Sequence, residues 1–302
     1  MPREMRGTIN GAINEYMGQV VGIMFNDRIS EITQKPDAPF IAGAIFDGDF
    51  FVSKTKDAFT LIALGKDNGA IDAIKGIMRE AERIAGEMEK IGKSCAVCTT
   101  VDGLLALKPD ILVETASPAA LREFAIPALK NGTSIVTLSI GALADDSFYR
   151  EVCETAKENG TRVYIASGAT GGFDVLRTAA LMGNATACFF NEKGPDALKG
   201  TPVYEETMQS EQKVVFTGNA VEAIRLFPTK VNVTVAASRA SVGPEAMQVT
   251  IQSTPGFKGD TQKVEIRNDQ VHAVVDVYSA TAEIAGWSVV NTLLNIVSPV
   301  VF

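Results

Sequence analysis

The sequence predicts a mainly parallel α/β domain joined to an α+β domain on a mainly antiparallel sheet, with a β-rich N-terminal extension. Two textures carry that prediction. From residue 58 to about 166, short apolar runs alternate with helical stretches, the pattern of βαβ units covered on both faces. After about residue 185, strand-like runs follow one another with a single helical stretch among them. The chain has 302 residues, 46% of them apolar, which is enough for two cores.

The elements follow in order. Phe59 to Leu64 is a short apolar strand, and Ala70 to Ile91 is a long helix with Ile71, Ile74, Ile77, Met78, Ala81, Ile84, Ala85 and Met88 at helical spacing. Ala96 to Thr99, Asp110 to Val113, Ser134 to Leu138 and Arg162 to Ile165 read as strands. Pro118 to Lys130 and Asp146 to Asn159 read as the helices between them. The later strands are 214–218, 230–238, 246–254, 262–268 and 271–279, interrupted by a helix from Asn219 to Leu226 and closed by one from Ala282 to Ile296. Residues 1–57 stand outside this plan, with strand-like VVGIMF and FIAGAIFDGDFFV around a proline-bearing turn. The expected domains are therefore an extension over 1–57, a nucleotide-binding-like domain over 58–168 with the closing helix 282–298, and a substrate and oligomerisation domain over 169–281.

Charge and composition narrow the function. A net charge of −8 does not suit phosphate backbones or anionic membranes, so neither a nucleic-acid nor a membrane partner is expected. No apolar run reaches the roughly 18–20 residues of a membrane span, and the N-terminus has no signal-peptide core, which together predict a cytoplasmic protein. Cys95 and Cys98 form a CxxC, but it sits in a strand-like run with no second pair after it. The two read as buried cysteines, and no metal site is expected.

The stretch VYIASGATGGFD (163–174) is the first with chemical interest. A strand ends in Ser167-Gly168-Ala169, and Gly171-Gly172 lead into a helix. Small residues at such a junction either pack two backbones tightly or hold a small group against backbone N–H groups, and the residues alone leave both open.

With VETASPAALREFAIPALKNG (113–132), LSIGALADDSF (138–148) and VVFTGNAVEAIRLFPTKVNVTVA (214–236), that stretch resembles the L-aspartate dehydrogenase family in order and spacing, over about residues 98–296. The resemblance implies a Rossmann-like cofactor domain, NAD or NADP as cofactor, and interconversion of L-aspartate with iminoaspartate. It places Ala169 and Asn232 at cofactor-contacting positions. Ser117 and the Ser139–Ala142 turn would lie along the same crevice, at the carboxyl ends of the parallel strands. Ser167, Gly168 and Thr170 would meet the small-molecule substrate. Asn232 both donates and accepts, which suits a carboxamide.

Three departures from the family matter. For the phosphate-binding turn the N-terminus offers GTINGAIN (7–14) with no convincing strand before it, and the second candidate is LIALGKDNGAID (61–72), where Gly65 and Gly69 are expected as the cofactor-binding glycines and Asp67 replaces the middle one. Gln262 stands where the family has its catalytic histidine, and it can orient a substrate but not take up a proton near neutral pH. His272 is the only histidine and either serves the site or is a strand residue with a polar partner; Lys263 and Lys230 are further acid–base candidates. SATAE (279–283) replaces the family's N-P-K-T-S stretch. Two functions follow: an NAD(P)-dependent oxidoreductase acting on a small amino acid or its imine, or a repurposed relative acting through ligand binding or oligomer contacts. Residues 17–92 resemble a roadblock-type module at the level of pattern, which suits the second. A homo-oligomer is expected on either.

Overall fold

The computed structural model describes residues 40–46, 60–65, positions 82, 83, 86, 89, 90, 96, 98 and 100, and residues 101–302 apart from 229 and 230. The chain divides into two compact units. One draws on Met1–Thr137, Glu154–Tyr164 and Thr292–Phe302, the other on Leu138–Cys153 and Ile165–Asn291.

In the first unit, β1 (Phe40–Phe46) and β2 (Thr60–Gly65) form an antiparallel pair. Residues 60–64 of the FTLIAL run are therefore in a strand, as the composition predicts. It pairs with β1 and not within the parallel sheet, where the alternating pattern had suggested it. Positions 82, 83, 86, 89 and 90 are helical, within the span expected for the long helix. Ala96 and Cys98 are in no regular structure, against the strand expected there, and Cys98 is half-buried. Cys95, the residues 66–81 that carry Asp67 and Gly69, and most of the extension lie outside the described residues.

The parallel sheet has the order β3 (Ile111–Glu114), β4 (Ser134–Thr137), β5 (Val163–Ile165). Every residue of β3 is buried, which is why ILVE shows no alternation. The short helix α1 (Val101–Ala106) precedes β3, and α2 (Pro118–Lys130) links β3 to β4. Ser117 caps α2, its hydroxyl accepting from the Ala120 N–H at 3.1 Å, and Pro118 takes a first-turn position that needs no N–H. The helix α3 (Asp146–Glu158) precedes β5.

The second unit is built on a five-stranded sheet of order β10-β9-β6-β8-β7. Its strands are β6 (Thr186–Lys193), β7 (Lys213–Asn219), β8 (Gln248–Ser253), β9 (Asp260–Arg267) and β10 (His272–Ser279). Only β6 and β8 run parallel; the other three pairings are antiparallel. One face is buried by α4 (Phe173–Leu181), α5 (Ala220–Leu226) and α6 (Asn232–Arg239), with Leu176, Ala223, Phe227, Val249, Ile251, Val264 and Ile266 in a single core. A reciprocal cap starts α5: Asn219 accepts from the Glu222 N–H, and Glu222 accepts from the Asn219 N–H. The closing helix is α7 (Glu283–Val297).

The segment 230–238, expected as a strand, is a correction. Asn232–Arg239 is helical. Its V-N-V-T-V alternation and β-branched residues favour a strand locally. The same residues also put Val231, Thr234, Val235 and Ser238 at helical spacing, and all four are buried. Burial of that stripe outweighs local propensity.

Candidate active site

The site develops from the buried phase of three strands. On β6 the inward residues are Ala187, Phe189, Asn191 and Lys193; on β8 they are Val249, Ile251 and Ser253; on β9 they are Ile266, Val264 and Gln262. Each strand is apolar along most of this face and becomes polar at the same end. The register makes the polar residues neighbours: Asn191 lies opposite Gln262, and Lys193 lies opposite both Ser253 and Asp260.

Buried polar atoms are normally paired. Here Asn191 Oδ1, Ser253 Oγ and Gln262 Oε1 have no hydrogen-bond partner among the described residues, although Asn191 is 1%, Ser253 0% and Gln262 3% exposed. The amide of Asn191 donates to the Thr261 carbonyl at 2.8 Å, so that side chain is fixed with its oxygen unspent. Lys193 pairs with Asp260 at 2.5 Å. Thr170 Oγ1 and Thr234 Oγ1 are likewise buried and unpartnered.

In the same unit the chain turns tightly at residues 167–172. Gly168 and Gly172 both have left-handed backbone, at φ +64° and +67°. A Cβ on Gly168 would come 2.7 Å from a Val233 methyl, and one on Gly172 would come 2.5 Å from a Val275 methyl. The glycines thus let the 167–172 loop lie close against α6 and β10. The Gly168 N–H donates to Ser288 Oγ at 2.9 Å.

The SIGA segment forms a buried 3₁₀ turn over Ile140–Ala144, held at both ends by α6. At the start of α6, Asn232 Oδ1 accepts the Gly141 N–H at 2.9 Å. At its end, Arg239 donates to the carbonyls of Leu143 (2.7 Å) and Ala144 (3.3 Å), pairs with Asp146 and stacks on Tyr149. The NH₂ of Asn232 makes no hydrogen bond among the described residues.

In the first unit, the turn after β3 is organised by Glu114, whose buried carboxylate accepts from the N–H groups of Ala116 (2.7 Å) and Ser117 (3.0 Å) and from the Thr137 hydroxyl (2.5 Å). A helix N-terminus therefore sits at the carboxyl end of a parallel strand, the usual place for a ligand in open α/β sheets.

Comparison with known proteins gives this geometry a context. Residues 174–296 match the family described as "Aspartate dehydrogenase, C-terminal", and residues 58–166 match "Homoserine dehydrogenase, NAD binding domain". The L-aspartate dehydrogenase of Methanosarcina acetivorans is 30% identical over 249 residues, spanning 78% of this chain and 91% of that protein. The chain belongs to the L-aspartate dehydrogenase family. The enzyme of the same name from Psychrobacter cryohalolentis is 34% identical over 182 residues, 59% of this chain and 67% of its own. The crystal structure of aspartate dehydrogenase from Thermotoga maritima superposes with a TM-score of 0.57 at 27% identity, covering 70% of this chain and 84% of that one. As a member of this family of NAD(P)-dependent dehydrogenases, the chain is an oxidoreductase using NAD or NADP.

Within this aspartate dehydrogenase-type chain the structure brings some of the expected residues together and separates others. Ser167, Gly168, Ala169, Thr170, Asn232 and Gln262 all belong to the second unit, and Gln262 lies on its buried sheet face. His272 does not join Gln262: it is on the opposite face of the sheet, its side chain 47% exposed and bonded to Glu265 at 2.9 Å. Lys263 shares that outer face through the strand alternation. Ser117 is a helix cap, and Gly65 is the last residue of β2. Gly69 and Lys230 lie outside the described residues. Among the described residues no group of three or more His, Cys, Asp or Glu could hold a metal ion, and no helix is long and apolar enough to cross a membrane.

Sequence reasoning missed Asn191, Lys193, Ser253 and Asp260. The signal was present: A-F-N-K at 187, 189, 191 and 193 is an inward strand phase that turns polar. If these orphaned oxygens serve a ligand, Ser253→Ala should stabilise the protein by about 1 kcal/mol, because it removes an unsatisfied buried group. The same variant should lower turnover. Urea unfolding and steady-state rates measured together check this, and a loss of stability would mean the hydroxyl has a structural role.

Proposed function

We propose that this protein interconverts a small L-amino acid, L-aspartate or a close analogue, with its imine in an NAD(P)-dependent reaction at the α-carbon. The observation that carries the proposal is the conjunction, within one unit, of the Asn232–Gly141 bond with the buried and unpartnered oxygens of Asn191, Ser253, Gln262 and Thr170. The residues fit a nicotinamide. Asn232 has its oxygen committed to Gly141 and its NH₂ unspent among the described residues, which suits a carboxamide oxygen, and Gly168 and Ala169 carry no bulky side chain of their own.

When bound, the cofactor supplies the hydride acceptor or donor. Everything else falls to the chain. Asn232 and Ala169 would hold the nicotinamide end. Gln262 orients substrate: its Oε1 accepts a hydrogen bond from the substrate's N–H, and it moves no proton. The Thr170 hydroxyl is a donor for a carboxylate, with Ser167 and Gly168 completing that side. The core behind β6, β8 and β9 excludes water from the reacting carbon.

The test is turnover of oxaloacetate and a panel of 2-oxo acids with ammonium and NADH or NADPH. Ammonium-dependent oxidation of the cofactor supports the proposal. Cofactor oxidation that proceeds equally without ammonium would replace imine reduction with ketone reduction.

A further inference from the structure

The proposal above leaves proton transfer without an agent. Imine reduction needs a proton delivered to nitrogen, and Gln262 cannot supply one. The buried face offers a second group. Lys193 ends the inward phase of β6, with its side chain only 7% exposed. A buried ammonium requires an ionic partner, and it has one in Asp260, which is 35% exposed. An ammonium carries three donors. Among the described residues only one of them is spent, on Asp260.

Next to those unspent donors lie three unspent acceptors. Ser253 is directly opposite Lys193 across β8, and Asn191 and Gln262 form the adjacent cross-strand pair. A purely structural ion pair would be expected to satisfy its own surroundings. Donors and acceptors both held in reserve at one end of a buried sheet face are what a polar substrate requires.

Among the described residues of these strands, no other charged side chain faces this patch. On β9, Lys263 and Glu265 take the outer phase, as do Glu192 on β6 and Asp276 on β10. Glu192 is bonded to Thr254 and Gln252, and Glu265 to His272 and Arg267. Ser253 is the uncharged contribution of β8. Asp260 is the one acidic group paired with Lys193 among the described residues.

We propose that Lys193, oriented by Asp260, is the proton donor and acceptor of the reaction in place of the absent histidine; this rests on the dehydrogenase reading above. In the reductive direction an Nζ–H bond of Lys193 breaks and an N–H bond forms on the imine nitrogen. The α-carbon then receives the hydride with its electron pair, giving the neutral amine. Lys193, left as the free amine, regains a proton from water by way of the partly exposed Asp260. Oxidation runs the same steps backwards, with neutral Lys193 taking the proton from the substrate nitrogen.

Two substitutions separate proton transfer from charge. Lys193→Met removes both, whereas Lys193→Arg keeps the cation and its pairing with Asp260 but does not release a proton at working pH. Both should lower kcat by about 10²-fold or more, within the usual contribution of general acid–base catalysis. NADPH affinity, followed by fluorescence, should be unchanged in both. Asp260→Asn should retain more activity than either and displace the pH profile of kcat. The double variant Lys193→Met with Asp260→Asn, which leaves no unpaired buried charge, guards against misfolding and should be as inactive as Lys193→Met while melting cooperatively. A Lys193→Arg protein within about fivefold of wild type would overturn the proposal, since charge alone would then suffice. Loss of NADPH binding in step with activity would also overturn it. A wild-type protein that binds NADPH but turns over no 2-oxo acid with ammonium would instead remove the dehydrogenase reading, and this proposal with it.

Discussion

Asn232→Asp is expected to weaken NADH and NADPH binding by about 100-fold, or about 2.7 kcal/mol, while leaving the protein folded. The substitution is nearly isosteric. A carboxylate at 232 still accepts the Gly141 N–H, so the 3₁₀ turn keeps its anchor at the start of α6. Negative charge in the first turn of a helix is favourable. What disappears is the amide NH₂, the unspent donor, and what is added is a charge facing a carboxamide oxygen. Loss of a donor to a desolvated acceptor costs about 1–3 kcal/mol, and the new charge adds to that. Titration calorimetry gives the affinities, and urea unfolding checks that stability is unchanged within about 0.5 kcal/mol. Equal affinity in variant and wild type would take Asn232 out of the cofactor site.

Phe189→Ala should cost about 3–5 kcal/mol of stability. Phe189 lies on β6, the central strand of the five-stranded sheet, and is 1% exposed. Its ring is part of the core with Val249 on β8 and Val264 on β9, its direct cross-strand partners. Rigid strands on either side prevent the space from closing, so the cavity term adds to the lost transfer free energy. The midpoint of urea unfolding should fall with little change in slope. A cost below about 1 kcal/mol would mean that the sheet face repacks around the missing ring. Because Asn191 and Lys193 continue the same strand phase, a weakened sheet should also reduce activity.

Much of this architecture is legible in the sequence because its cause is local. DILV and SIVT are short runs with consecutive apolar residues and no alternation, and a parallel sheet covered on both faces requires just that. AMQVTIQST, QKVEIRN and VHAVVDVYS alternate with period two and are strands within a residue or two of the expected bounds. Where local and tertiary preferences conflict, the sequence misleads. VNVTVAAS has the propensity of a strand and the burial stripe of a helix, and packing decided for the helix. FTLIAL reads as a strand but carries no information about its partner, so its antiparallel pairing with β1 could not be read from it.

The site divides along the same line. Glycines at 168 and 172 announce a tight junction, and both have positive φ. The hydrogen bond between Asn232 and Gly141 spans 91 residues, and no spacing rule connects them. His272 attracted attention as the lone histidine, yet one residue of strand parity puts it on the outer face, paired with Glu265. Lys193 and Asp260 went unnoticed for the opposite reason: lysine and aspartate at strand ends normally face solvent. Only the register shows that they meet on the buried side.

The most direct measurement follows label from both reactants into product. The protein would be supplied with NADH or NADPH deuterated at the transferring position of the nicotinamide, ¹⁵N-ammonium and oxaloacetate, with other 2-oxo acids in parallel, and the products resolved by mass spectrometry. The account predicts an amino acid that carries deuterium on its α-carbon and the labelled nitrogen beside it. Deuterium found only in a 2-hydroxy acid, with no labelled amino acid, would contradict it.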